Sequence, residues 1–410
     1  MNKKFLTLCL SVFVISAPWN ASGLSSLKLF GLDKPSFSTT NHSSANYKES
    51  LLVKSLLEIT QGKLQQALTT TNQLLAEVPN FKLAYLVRGD LLMAQAQQLQ
   101  SFGNSNASSA NTVNDFREEA RMRLAHYLSE QSHAFIPDTL LQIDNQHTHF
   151  IVVDTNKSRL YVYQNVNGKP VYLADYYVTI GKNGAEKKVA GDKRTPVGVY
   201  LAASKLNRPL DAIYGVAAYP LNYPNDWDSH QGKSGDGIWL HGTQGNTYSR
   251  APRASDGCVV ISNEDLLALE PILKNGNTPV IIADDLKWLE NDQLATKREE
   301  LNKALESWRS DWQSQNTTAY LGHYSAKFFT ADLDYNGWAS EKRRIQASKP
   351  KVDIKLANVS MLRYPGNAQQ MAVVSFDQTF NSAYINNTMR KQQYWVMENN
   401  RWKILFEGGI

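Results

Sequence analysis

Near Thr148 the spacing of apolar residues changes, and no other feature constrains the fold as strongly. Upstream, from Tyr47 to about Gln100, Leu51, Leu52, Ser55, Leu56 and Ile59, then Leu64, Ala67, Leu68, Leu74 and Leu75, recur three and four apart. That is the period of helices with one buried face. Gly62 separates two such helices, Pro79-Asn80 ends the second, and a third begins near Lys82. Residues 101–111 are Ser/Asn/Ala-rich and read as a loop, and a last helix is predicted over about 115–129.

Downstream the period becomes two. Residues 150–154 and 159–163 flank Thr155-Asn156-Lys157-Ser158 as a hairpin, and 171–180 forms a further strand closed by Gly181. Shorter strands are predicted at 197–202, 238–240 and 280–282, with one helix at about 263–273. Its N-cap is Ser262 or Asn263, and Asp265 lies in its first turn. Many short strands between Gly, Pro and Asn turns predict a compact β-rich domain over 148–285. An amphipathic helix at about 294–313 carries Leu301, Leu305, Trp308 and Trp312. After 320–329 and a turn at Asp332-Leu333-Asp334 come alternating strands at 372–376, 393–397 and 402–406. The last two are joined by a hairpin turn at Glu398-Asn399-Asn400-Arg401. Helix first and antiparallel strands afterwards make 296–410 an α+β module. A length of 410 residues agrees with several domains, and 42% hydrophobic content supplies their cores.

The first 23 residues read as a cleaved secretory signal: Lys3 and Lys4, an apolar run over 5–15, then small residues at Ala21-Ser22-Gly23. The apolar run is too short to span a bilayer, and no later segment reaches that length. Leu8 before Cys9 argues against a lipid anchor. The polar, aperiodic stretch 24–44 is expected to be a flexible leader. Losing the signal removes two lysines and no acid, lowering the net charge from +5 to +3. That balance, with no Lys/Arg cluster, excludes a nucleic-acid footprint. Export would place the chain in a periplasm, with no integral membrane segment remaining.

Export also makes Cys258 informative. It is the only cysteine besides Cys9, so a mature exported chain has no partner for an internal disulfide. A solitary thiol there calls for chemistry, and His241 supplies a general base for a thiolate nucleophile. His241 closes an apolar strand, Gly242 lets substrate or backbone approach, and the Gly257 and Cys258 amides are candidate oxyanion donors. Pairing with a histidine lowers a thiol's pKa from about 8.5 to below 7. His147 and His149 have no carboxylate or further histidine at metal-ligand spacing, so zinc is not expected. Asp332 and Asp334 lack the continuation of a calcium loop, and a papain-like order would place the cysteine before the histidine. His230 and Trp227 lie in the 226–237 loop, read as an exposed loop or a lid.

Three segments resemble the L,D-transpeptidases of the YkuD type, exported cysteine acyltransferases of bacterial peptidoglycan. They are Gly191-Asp192-Lys193-Arg194-Thr195-Pro196-Val197-Gly198, Trp239-Leu240-His241-Gly242-Thr243 and Ser255-Asp256-Gly257-Cys258-Val259. The resemblance implies Cys258 as nucleophile, His241 as base, a backbone carbonyl as third member, and Ser255, Asp256, Gly257 and Gly242 as loop and oxyanion residues. It implies attack on the bond after the third-position diamino acid of a peptidoglycan stem peptide, with transfer to an amine or to water and with no metal and no organic cofactor. Asp256 stands where a histidine is common, and Val260 where an arginine is common. Arg250 and Arg253, with Thr243, are the candidate substrate-binding residues, since guanidinium binds carboxylate bidentately. These departures resemble the YafK branch, which includes carboxypeptidase-like and amidase-like enzymes.

The flanking regions carry weaker likenesses. Ala67, Pro79, Tyr85 and Gly89 fall where a tetratricopeptide repeat places such residues, so 45–130 resembles one repeat and a half, suited to a protein partner. A plain helical hairpin is the alternative. The tryptophan-bearing helix and the Tyr394-Trp395-Val396/Arg401-Trp402-Lys403-Ile404 hairpin make 296–410 resemble nuclear transport factor 2-like cones. Such a cone implies either a pocket or a packing surface. A scaffold protein without catalysis is the rival from another class.

Overall fold

The computed structural model describes residues 44–97, 102–103, 110–129, 135–348, 351–366, 369–383 and 385–410. The expected signal peptide and all of the expected leader except Ser44 lie outside them. Among the described residues no helix is long and apolar enough to cross a membrane.

The three-to-four spacing produces α1 (Ser44–Thr60), α2 (Leu64–Glu77) and α3 (Lys82–Met93), followed by α4 (Ala110–Leu128). Gly62, at φ +72°, makes the left-handed turn between the first two, a conformation that costs glycine nothing. Leu52, Ala67, Leu74, Ala84 and Val87 form their shared core.

The chain then makes two strands that the sequence does not advertise, β1 (Ile136–Pro137) and β2 (Leu140–Gln142). A nine-stranded sheet follows. Its members are β3 (His149–Asp154), β4 (Arg159–Val166), β5 (Lys169–Gly181), β6 (Gly198–Ala202), β7 (Ala218–Pro220), β8 (Trp239–His241), β9 (Arg253–Ser255), β10 (Val259–Ile261) and β11 (Thr278–Ala283). The order is β6-β11-β3-β4-β5-β10-β8-β7, with β9 beside β5. Its two edges nearly meet: Ala202 bridges Leu221, and the Ala203 amide donates to the Pro220 carbonyl at 2.8 Å. The sheet therefore curls around a core of Ile151, Val153, Leu240, Val259, Ile261 and Val280. Helix α5 (Asp226–His230) and helix α6 (Asn263–Leu273) interrupt it, and Ser262 caps α6 by accepting from the Asp265 amide at 3.1 Å.

After β12 (Trp288–Leu289), the last unit contains α7 (Asn291–Gln313), α8 (Thr317–Gly322), β13 (Tyr324–Phe329), α9 (Tyr335–Gln346), β14 (Val352–Tyr364), β15 (Met371–Ser382), β16 (Asn386–Glu398) and β17 (Arg401–Gly409). Strand alternation sorts its residues. Trp395, Val374 and Ile404 face the helices with Trp308, while Tyr394, Val373 and Phe406 face the nine-stranded sheet, with Val199 and Trp227 packed against them. The multidomain reading, helical region, β-rich domain and α+β cone, is borne out.

The units are joined along seams. β1 pairs with β12, and β2 pairs with β14, extending the cone's sheet to six strands. Between helices and nine-stranded sheet lies a buried charge cluster. Arg123 pairs with Glu49 at 3.1 Å and Glu119 at 2.9 Å, Arg159 pairs with Glu49 and Asp175, and His126 reaches Asp175 at 3.1 Å. Burial opposes the Glu49 charge, but Arg159 and Arg123 hold its carboxyl below the usual range. Burial dominates at Glu119, which is pushed up to about 7.

Candidate active site

Strands β8 and β10 lie parallel, with Val259 opposite Leu240 and Val260 opposite His241. Leu240, Val259 and Ile261 enter the core. Since successive side chains alternate, Trp239, His241 and Cys258 project from the other face. The motif thus brings histidine and cysteine to the same face of two adjacent strands, although sixteen residues separate them in sequence.

His241 is buried, and its Nδ1 lies 2.7 Å from the Gly242 carbonyl. A carbonyl only accepts, so Nδ1 carries the proton and the Nε2 lone pair is free. Tyr214 stands edge-on to the imidazole at 5.1 Å between centroids and packs on Trp239 at 4.8 Å. Gly242 is required here because a Cβ would lie 2.2 Å from Asn263 Oδ1. That oxygen accepts from the Val216 and Thr243 amides at 3.2 and 3.1 Å, so the head of α6 holds the strand end in place.

The half-buried Cys258 thiol donates to the Gly237 carbonyl at 3.4 Å and accepts from the Trp239 amide at 3.5 Å. Gly257, at φ +131°, brings the turn against the Arg194 carbonyl, where a Cβ would be only 2.9 Å away. Ser255 Oγ donates to the Cys258 carbonyl at 2.6 Å and accepts from the Gly257 amide at 3.2 Å. Thr195 Oγ1, from the first motif, donates to the Gly257 carbonyl at 2.9 Å and accepts from Gly181. All three motifs therefore meet at one turn.

Four expectations change at this site. The Gly257 amide is engaged by Ser255, so it is not a free oxyanion donor. Thr243 donates its hydroxyl to the Thr247 carbonyl at 3.1 Å inside its own loop, which leaves it no hydroxyl proton for substrate. Arg253 is exposed on β9, and Asp256 is exposed and paired with Lys182 at 2.9 Å. Arg250 is the candidate that comes near: its charge is felt by both His241 and Cys258, and its buried Nε has no partner. The fourth change is electrostatic. Burial pushes the Cys258 thiol up, against the help of the Trp239 amide and Arg250. Burial, then the Arg250 charge, lowers His241 to about 4. Among the described residues no carboxylate bonds the imidazole, so the resting pair is neutral thiol and neutral imidazole, not the expected thiolate.

The 226–237 loop is neither bare nor free. The His230 ring stacks on Phe329 of the cone at 3.6 Å and 7°, with Trp227 beside both. Asn225 donates to Tyr364 Oη at 3.0 Å. Sequence reasoning missed this dock, together with Tyr214, Asn263 and Thr195 as organisers, because each acts through a fold-dependent contact. Among the described residues no cluster of three His, Cys, Asp or Glu side chains suits a metal ion.

Residues 148–282 match the profile of the L,D-transpeptidase catalytic domain, YkuD, and residues 300–408 that of the Cds6 C-terminal NTF2-like domain. The two resemblances read from the motifs are thereby borne out. Among solved structures, Bd1075 of Bdellovibrio bacteriovorus is 27% identical with a TM-score of 0.59, covering 67% of this chain and 98% of its own. The helical cell shape determining protein Pgp2 of Campylobacter jejuni is 26% identical with a TM-score of 0.58, covering 66% and 95%. No curated protein sequence matches the chain.

Proposed function

We propose that the chain is an exported, periplasmic cysteine acyltransferase of L,D-transpeptidase type, acting on peptidoglycan stem peptides at the third-position diamino acid and serving cell-wall shape. The observation that carries this reading is the His241 tautomer. The Gly242 carbonyl holds the proton on Nδ1 and leaves Nε2 as the acceptor on the face that bears the Cys258 thiol. In the proposed reaction the thiol proton passes to Nε2 as Sγ attacks the acyl carbon, so charge separation coincides with bond formation. The Cys258 amide is assigned to the oxyanion and Arg250 to a substrate carboxylate. His241 then protonates the leaving amine of D-Ala, and an amine or water resolves the thioester. No residue of this scheme calls for a cofactor.

Resolution by water, as in an L,D-carboxypeptidase, is the second reading, and Val260 favours it. That position is buried and apolar, so it gives an acceptor chain no cation. Incubation with tetrapeptide muropeptides is expected to yield 3–3 crosslinked dimers for transfer or free tripeptide for hydrolysis. Cys258→Ala is expected to abolish both. Equal product profiles from wild type and variant would overturn the enzyme reading in favour of a scaffold.

A further inference from the structure

The loop 243–252 leads from the histidine to the cysteine and carries Arg250, yet its bonds run to the helical region. Tyr248 is 4% exposed and belongs to the core of α1–α3. Its amide donates to the Asn80 carbonyl at 3.1 Å, and its ring meets Phe81 edge-on at 4.8 Å. The Arg123 guanidinium of α4 lies 5.5 Å from that ring and 4.0 Å from the Tyr177 ring of β5. The next residue is tied as well: the Leu83 amide donates to Ser249 Oγ at 2.8 Å. On the other side, Tyr177 Oη donates to the Arg250 carbonyl at 2.9 Å and Thr179 Oγ1 to Ala251 at 2.7 Å.

We propose that Tyr248 is a positioning residue through which the helical region holds the Arg250 guanidinium beside the Cys258 thiol, so that the helices form part of the substrate-binding wall. The proposal rests on the reading of Cys258 as nucleophile and Arg250 as carboxylate ligand. Arg250 fits that role because only one of its donors is spent nearby, Nη2 to the Ala254 carbonyl at 3.0 Å, while Nε is buried unpaired. A loop bonded only to β5 would leave the arginine's main chain fixed at one edge. Packing of Tyr248 against Phe81 and Arg123 fixes the other.

The test compares alkylation of Cys258 by anionic iodoacetate and neutral iodoacetamide in the full chain, each rate taken relative to glutathione. A guanidinium at the thiol favours the anion, so the wild-type ratio is expected to fall about fivefold in Arg250→Met. Tyr248→Ala is expected to fall to the same level, and Tyr248→Phe, which keeps the ring, to retain the wild-type ratio. Ser249→Ala, a smaller change that removes the Leu83 tie, is expected to lower the ratio at least twofold and serves if Tyr248→Ala does not fold. A folded Tyr248→Ala or Ser249→Ala chain with the wild-type ratio overturns the proposal, as does an unchanged ratio in Arg250→Met. Release of D-Ala from a stem tetrapeptide by the wild type is scored separately. A wild type that releases none while the ratios behave as expected sinks the functional reading and leaves the positioning role standing. In an active enzyme, Tyr248→Ala should raise KM at least tenfold with kcat changed less than about twofold, the pattern of lost ground-state positioning.

Discussion

The neutral resting pair has a sharp kinetic consequence. Burial raises the Cys258 thiol above its ordinary value of about 8.5, and His241 is lowered to about 4. Moving the proton from sulfur to imidazole in the resting site is then uphill by more than about 6 kcal/mol. Fewer than about one thiol in thirty is ionised at pH 7. The perturbation is pH itself, and the assay is the second-order rate of Cys258 alkylation by iodoacetamide from pH 5 to 10. The rate is expected to rise close to tenfold per pH unit through pH 8, with no plateau below pH 8.5. His241→Ala should leave that slope intact, because a neutral imidazole holds no ion pair to lose. A plateau between pH 5 and 8 that disappears in His241→Ala would refute the reasoning, since it would reveal a preformed thiolate–imidazolium pair.

Two further outcomes follow from the packing. Arg159→Ala strips Glu49 and Asp175 of a buried partner and should lower the unfolding free energy by about 3–5 kcal/mol in denaturant titration, whereas Lys182→Ala, which breaks an exposed pair, should cost less than about 1 kcal/mol. Gly242→Ala forces a methyl to within 2.2 Å of Asn263 Oδ1 and should reduce D-Ala release at least tenfold while circular dichroism stays native, because the displaced groups lie at the strand end and not in the core.

Much of the site could be read before the fold because a strand end, a glycine and a turn are local devices. Trp239-Leu240-His241-Gly242 and Ser255-Asp256-Gly257-Cys258 carry their own geometry: alternation sets the histidine's face, and φ +131° at Gly257 needs the residue that is there. The helices were legible where the three-to-four period was clean, as in α2, and so was the Ser262 cap. Helix α9 was not, since Tyr335–Gln346 shows few apolar positions and follows an Asp-rich turn. Strands β1 and β2 were missed because two or three residues carry no period. The thiol's ionisation was misjudged for another reason. Sequence supplies the partners of a charge but not its desolvation, and here burial outweighs every neighbour. Likewise Thr243 and Arg253 have suitable chemistry, yet the fold turns one hydroxyl inward and leaves the other side chain in solvent.

The strand β2 has a meaning for how the molecule comes into being. Gln142 bonds the carbonyl of Val359, 217 residues further along the chain, and Asp144, just after β2, pairs with Arg390. A nascent chain emerges with Ile136, Leu140, Leu141 and Ile143 ready for burial while their partner strand has yet to be made. Such distant pairing is entropically slow to form and leaves an unpaired edge in the interim. The connecting segment therefore completes its pairing only after β14 has been made. A chain stopped before β14 is expected to leave that apolar seam open instead of folding as a shorter unit.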